Sequence, residues 1–114
     1  MANKNMLGVM ADCSRNAVMT VKTAEKLIDM LSKMGYNTLM LYTEDTYEVD
    51  GEPFFGYLRG RYSKEELLSL DKYASEKGIE LIPCIQTLAH LGTIFHWQEY
   101  AAVNDVNDIL LADS

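Results

Sequence analysis

The chain carries two hydrophobic rhythms. Residues 7–13, 37–42 and 79–85 are almost continuously apolar, as expected of strands covered on both faces. Between them the apolar positions recur every three or four residues, the spacing of one helix side. In the first such stretch, which starts after Thr20, these are Ala24, Leu27, Ile28, Leu31 and Met34. Gly35 follows where a left-handed residue would end the helix. In the second they are Leu67, Leu70, Tyr73 and Ala74, with Gly78 as the stop. Its start is the better marked. Ser63 followed by Glu66 spells a capping box, and Tyr62 with Leu67 is placed as a hydrophobic staple. The tail is expected to add a short helix within 93–104 and to begin another at 108–112.

The two helix-glycine-strand blocks repeat each other. LIDMLSKMGYNTLML superposes on LDKYASEKGIELIPC, with Leu27 falling on Leu70. Strand, helix, strand, helix, strand in that order implies right-handed crossovers and a parallel sheet, hence an α/β fold. An open doubly wound sheet and a barrel both satisfy the pattern. The first strand-to-helix loop, CSRNAVMT, has none of the glycines that cradle phosphates, which excludes a dinucleotide site.

Polar residues collect just after each strand: Asp12, Ser14, Arg15 and Asn16, then Thr43, Glu44, Asp45 and Thr46, then Gln86, Thr87 and His90. A parallel fold brings all three groups to the C-terminal edge of its sheet, where such folds place their sites. Two carboxylates beside a histidine and an arginine suit proton transfer on a neutral, hydroxyl-rich ligand. The plainer readings are an Asp12–Arg15 ion pair holding the first loop, solvated or capping acids at Glu44 and Asp45, and a structural His90. Tyr42, Tyr47, Phe54, Phe55, Tyr57, Tyr62, Trp97 and Tyr100 crowd toward the same edge, as sugar-stacking rings or as loop packing.

At 114 residues the chain is one domain at most, and a complete (β/α)₈ barrel needs about 250. A net charge of −7 with scattered Lys and Arg argues against nucleic acid. No apolar run approaches the roughly 18 residues of a membrane span, and MANKNMLGVM lacks the features of a secretory leader, so cytoplasm is the expected location. Cys13 and Cys84 have no metal-type spacing and read as small buried hydrophobes. His90 and His96 fit neither a helix face nor a usual zinc pair, so neither metal nor cofactor is expected.

Three blocks resemble glycoside hydrolase family 20, the β-N-acetylhexosaminidases. GVMADCSRN (8–16) is similar to a first strand ending in Asp-x-x-Arg, and MGYNTLMLYTED (34–45) to a second strand with an acidic end. GRYSKEELLSLDKYASEKGIELIPCIQTLAH (60–90) is similar to the following helix and third strand, closing on a histidine. The resemblance implies that residues 1–114 are the N-terminal part of a catalytic (β/α)₈ TIM barrel, its first three β/α units. It also implies a retaining, substrate-assisted hydrolysis of terminal N-acetylhexosamine, in which the substrate's own acetamido group replaces the second enzyme carboxylate. His90 and an acid of the second strand, Asp45 or Glu44, would then serve catalysis, while Asp12, Arg15 and Trp97 would bind the sugar. The general acid of the family, in an Asp-Glu pair after the fourth strand, lies beyond this chain, so the chain alone is expected to be inactive. With its apolar helix faces incompletely covered and an unpaired strand at each edge, it is also expected to self-associate. Met6 and Leu7 stand in place of the family's sugar-binding arginine, Cys84 and Gln86 in place of third-strand acids, and Leu88-Ala89 in place of Pro-Gly, which marks a divergent branch. The rival functions are a non-catalytic carbohydrate-binding or assembly remnant and another sugar-processing barrel enzyme.

Overall fold

The computed structural model describes residues 5–111. Strand β1 (Gly8–Asp12), helix α1 (Val21–Lys33), β2 (Thr38–Tyr42), α2 (Lys64–Glu76) and β3 (Glu80–Cys84) follow in order. A single helical turn, α3 (Gly92–Phe95), and a 3₁₀ segment (Gln98–Val103) complete the chain.

The strands form one parallel sheet in the order β1-β2-β3. Gly8, Thr38 and Glu80 lie side by side at one edge, and Asp12, Tyr42 and Cys84 at the other. That register carries all three polar clusters to the C-terminal edge. β1 and β3 are a residue shorter at either end than their apolar runs, and β2 at its start only, yet the ladder bonds continue past them. Cys13 N–H reaches the Tyr42 carbonyl at 2.8 Å, and Asn37 N–H reaches Leu7 at 2.9 Å.

Alternation along the strands assigns the faces. Leu39 and Leu41 point toward the helices and pack with Ala24, Ile28 and Leu31 of α1 and with Leu70 and Ala74 of α2. Ile28, Leu39 and Leu70 are wholly buried, each contributing roughly 1.5–3 kcal/mol. The opposite face carries Met10, Met40, Ile82 and Cys84. Full coverage of both faces, expected from the apolar strands, is not met among the described residues: Met10 is 52% exposed. Both helices lie on the Leu39 side of the sheet.

The repeat is reproduced bond for bond at the helix ends. Gly35, at φ +86°, closes α1 with its N–H on Ser32 and that of Tyr36 on Leu31. Gly78, at φ +74°, closes α2 through Ser75, and Ile79 through Ala74. Both are Schellman caps. At the other ends Thr20 accepts from Thr23 N–H, and Ser63 with Glu66 forms the full capping box. Met34 does not join the buried face: it is the C-cap of α1, and its position past the last turn leaves it exposed. Nor does a helix begin at Asp108. Leu110 N–H bonds to the Leu88 carbonyl and pairs with Asn104 in an antiparallel bridge, so the backbone runs extended there; Ala112 lies outside the described residues. Among the described residues no helix is long and apolar enough to cross a membrane.

Candidate functional site

The first loop is closed by its own acid. Asp12 accepts hydrogen bonds from the N–H (2.8 Å) and hydroxyl (2.6 Å) of Ser14. Those two bonds hold its carboxyl below the usual carboxylate range, with the charge of Arg15 assisting. Among the described residues no ion pair joins Asp12 to Arg15, so Ser14 rather than Arg15 fixes the loop. Both Asp12 and Arg15 remain exposed at the sheet edge.

The second loop buries its polar residues. Thr43, Glu44, Asp45 and Thr46 are all buried, in a turn where the Thr46 N–H and hydroxyl each reach the Thr43 carbonyl at 2.8 Å. Glu44 adopts φ +49°, and the Tyr42 hydroxyl donates to its Oε1 at 3.2 Å. Gln86, just beyond β3, donates in turn to the Tyr42 oxygen at 2.7 Å. Asp45 faces elsewhere. Its Oδ1 lies 3.2 Å from Arg59 Nη2, and the same guanidinium nitrogen donates to the Ser14 carbonyl at 2.6 Å. Burial pushes the Asp45 carboxyl above its ordinary range, and Arg59 opposes that push.

The third loop places His90 at φ +60° and exposed. Among the described residues no hydrogen bond or ion pair connects it to Glu44 or Asp45. Trp97 is half-buried in a ring cluster, 5.3 Å from Phe54, 5.4 Å from Tyr57 and 4.3 Å from His96 between centroids. Tyr47 packs edge-on against Phe55, and Tyr100 donates to Glu52. The rings of the second loop therefore pack on one another and on Trp97. Tyr62 is not at the site; it is core, with 2% of its surface exposed.

The sequence places the acids, Tyr42 and Gln86 at this edge without showing how they pair, and it does not single out Arg59. Arg59 gives no spacing signal, since it reaches Asp45 and Ser14 across two loops. Gly56 is its one local hint: at φ +67°, a Cβ there would stand 2.1 Å from the Asp45 carbonyl oxygen. Among the described residues no three His, Cys, Asp or Glu side chains converge as metal ligands, and both cysteines are free. The edge has a small cleft of about 120 Å³ between Ser14, Arg15, Asn16, Leu58 and Arg59. A larger groove of about 940 Å³ lies away from these acids, where Leu67 and Leu68 of α2 meet Leu81, Pro83 and Ile85. Beside these apolar residues it is lined by Glu48, Asp50, Lys64, Glu65 and Asp71.

Comparison with curated proteins yields no match. Solved structures do match. A chitobiase from Flavobacterium johnsoniae is 26% identical, with a TM-score of 0.76 over 89% of this chain and 16% of that one. A β-N-acetylhexosaminidase from Bacteroides fragilis is 24% identical, with a TM-score of 0.78 over 94% and 25%. An N-acetyl-β-hexosaminidase from Streptomyces plicatus is 23% identical, with a TM-score of 0.74 over 90% and 23%. The chain thus spans a quarter or less of each of these three. The model of glycosyl hydrolase family 20, catalytic domain, matches residues 6–110. With that match over nearly its whole length, on a three-stranded parallel sheet with its polar clusters at one edge, the chain belongs to the catalytic domain of glycosyl hydrolase family 20.

Proposed function

We propose that the chain forms the first three β/α units of a (β/α)₈ barrel in a retaining β-N-acetylhexosaminidase that removes terminal N-acetylhexosamine from glycans. The observation that carries this reading is the catalytic-domain match across residues 6–110. The Streptomyces plicatus enzyme, 25% identical in its product complex, was solved with GlcNAc, which supports the same sugar class here.

In this reading the acetamido oxygen of the substrate attacks its own anomeric carbon, so the enzyme needs one strong proton donor and no carboxylate nucleophile. Asp12, Arg15 and Trp97 line the sugar: the charged pair takes hydroxyls, and the indole takes the apolar face of the ring. His90 and an acid of the second strand tune the donor, which is supplied from beyond the three units. The exposed position of His90 leaves it accessible to that partner.

The test is release of aryl alcohol from an aryl N-acetyl-β-glucosaminide. The chain alone should show no turnover. The complete barrel, in which these units continue into a fourth strand ending in Asp-Glu, should turn over, with His90→Ala lowering the rate roughly 10²- to 10⁴-fold. Hydrolysis of the plain glucoside at the same rate would sink the substrate-assisted reading, because that sugar has no acetamido group.

A further inference from the structure

Glu44 and Asp45 are adjacent in sequence and face different partners. The turn that parts them holds Glu44 in the left-handed region, which a residue with a Cβ occupies only where its surroundings impose it. Thr46 closes the turn on the Thr43 carbonyl with two bonds.

Asp45 is enclosed. Its side chain is 3% exposed, and its Oδ1 is sealed from solvent with no aligned hydrogen-bond donor. The charge it meets is Arg59, itself anchored on Ser14, while the backbone of Gly56 closes against the Asp45 carbonyl. A carboxylate shut in this way cannot reach a ligand at the sheet edge.

Glu44 is wired the other way. Leu39 and Leu41 fill the helix side of β2, so Tyr42 falls on the opposite face. Tyr42 is in register with Cys84, which puts Gln86 two residues further along that same face. The Gln86 amide donates to the Tyr42 oxygen, and the phenolic O–H is then directed onto Glu44. A donor, a relay hydroxyl and a charged acceptor in series strengthen one another.

We propose that the acid pair is divided in function: Arg59 fastens Asp45 as a structural tie between the first two loops, and Glu44 is the carboxylate that faces the site, positioned from the third strand by Gln86 through Tyr42. The division rests on geometry. Only the identity of the ligand rests on the hexosaminidase reading.

The charged and titratable groups acting on Asp45 are Arg59 and Glu44, with Tyr47 beside it; those acting on Tyr42 are Glu44 and Arg15. NMR of the Glu44 and Asp45 carboxyl carbons in the full chain reads the division, with the Asp45 signal followed across pH. Arg59→Met should raise the Asp45 midpoint by more than about one pH unit, the usual effect of losing an adjacent cation, and leave Glu44 nearly still. Arg59→Lys keeps a cation and serves if the Met variant does not fold; it should move Asp45 the same way by less. Tyr42→Phe and Gln86→Leu should displace the Glu44 carboxyl signal at neutral pH and leave that of Asp45 in place. A joint displacement of both carboxyl signals in the Arg59 variants, or a Glu44 signal indifferent to Tyr42→Phe, overturns the proposal. Excess N-acetylglucosamine should shift the Gln86 amide and Glu44 carboxyl signals but not Asp45; a response at Asp45 alone also overturns it. Silence of all three toward the sugar, with the titrations as expected, would sink the sugar reading and keep the division of the acids.

Discussion

The hydroxyl of Tyr62, immediately before α2, donates a 2.6 Å hydrogen bond to the carbonyl of Met19, immediately before α1. It ties the entry of one helix to the entry of the next. Tyr62→Phe keeps the ring and removes the tie, leaving the Met19 carbonyl without this donor, at a cost of about 1 kcal/mol. Burial also pushes the Tyr62 phenol far above its ordinary value of 10. A raised folded-state pKa gives stability that is complete below about pH 10 and is lost as pH climbs toward the folded value. Urea unfolding of both proteins should therefore show a gap that is constant near neutrality and narrows above pH 10. A gap independent of pH would refute the assignment to this hydroxyl.

Two glycines with positive φ separate backbone strain from steric clash. Gly35→Ala meets open space, so it costs only the left-handed penalty of about 1–2 kcal/mol. Gly56→Ala adds a Cβ at 2.1 Å from the Asp45 carbonyl oxygen, and backbone there must move. The loss should reach about 3 kcal/mol or more and should disturb the Arg59–Asp45 pair as well. Denaturation midpoints of the two variants decide it; equal losses would mean that the Gly56 turn yields freely.

What was legible in the sequence was local. Caps at Thr20 and Ser63 and stops at Gly35 and Gly78 depend on residues within one turn, so spacing alone places them. The polar edge was legible too, because parallel strands of equal length must end together. What escaped was non-local or turned on one dihedral. Arg59 acts across two loops on Ser14 and Asp45, which no periodicity encodes. The separation of Glu44 from Asp45 hangs on the left-handed φ at Glu44, a conformation its residue type does not announce. Met34 was misplaced for a related reason: helical spacing continues on paper one residue past the helix.

The sheet invites self-association. Met10 is 52% exposed on one face, and Leu68 at 61% and Ile85 at 47% border the groove on the other. Among the described residues β1 and β3 each pair on one side only, leaving backbone groups along two edges. Sedimentation of the chain should give a weight-average mass above that of the monomer, rising with concentration. Met10→Lys should lower it if the open sheet face drives association, and Leu68→Lys if the groove does. A single monomeric species at every concentration would dismiss both surfaces.

Trp97 is the sole tryptophan, and it docks the second loop onto the tail. Its ring lies 5.3 Å from Phe54 at an interplanar angle of 36°, with Tyr57 edge-on at 5.4 Å. Aromatic pairs in such geometry contribute about 0.5–1.5 kcal/mol beyond area burial. A double-mutant cycle of Phe54→Leu and Trp97→Leu should return a coupling in that range, because each single change removes the ring pair while keeping apolar bulk. In Phe54→Leu the indole should also gain solvent, shifting its fluorescence to longer wavelength. A ring held for sugar stacking alone would show no coupling to Phe54, and its emission would respond to N-acetylglucosamine instead. Coupling together with a sugar response would mean that one face of Trp97 packs the loop while the other stays open to the ligand.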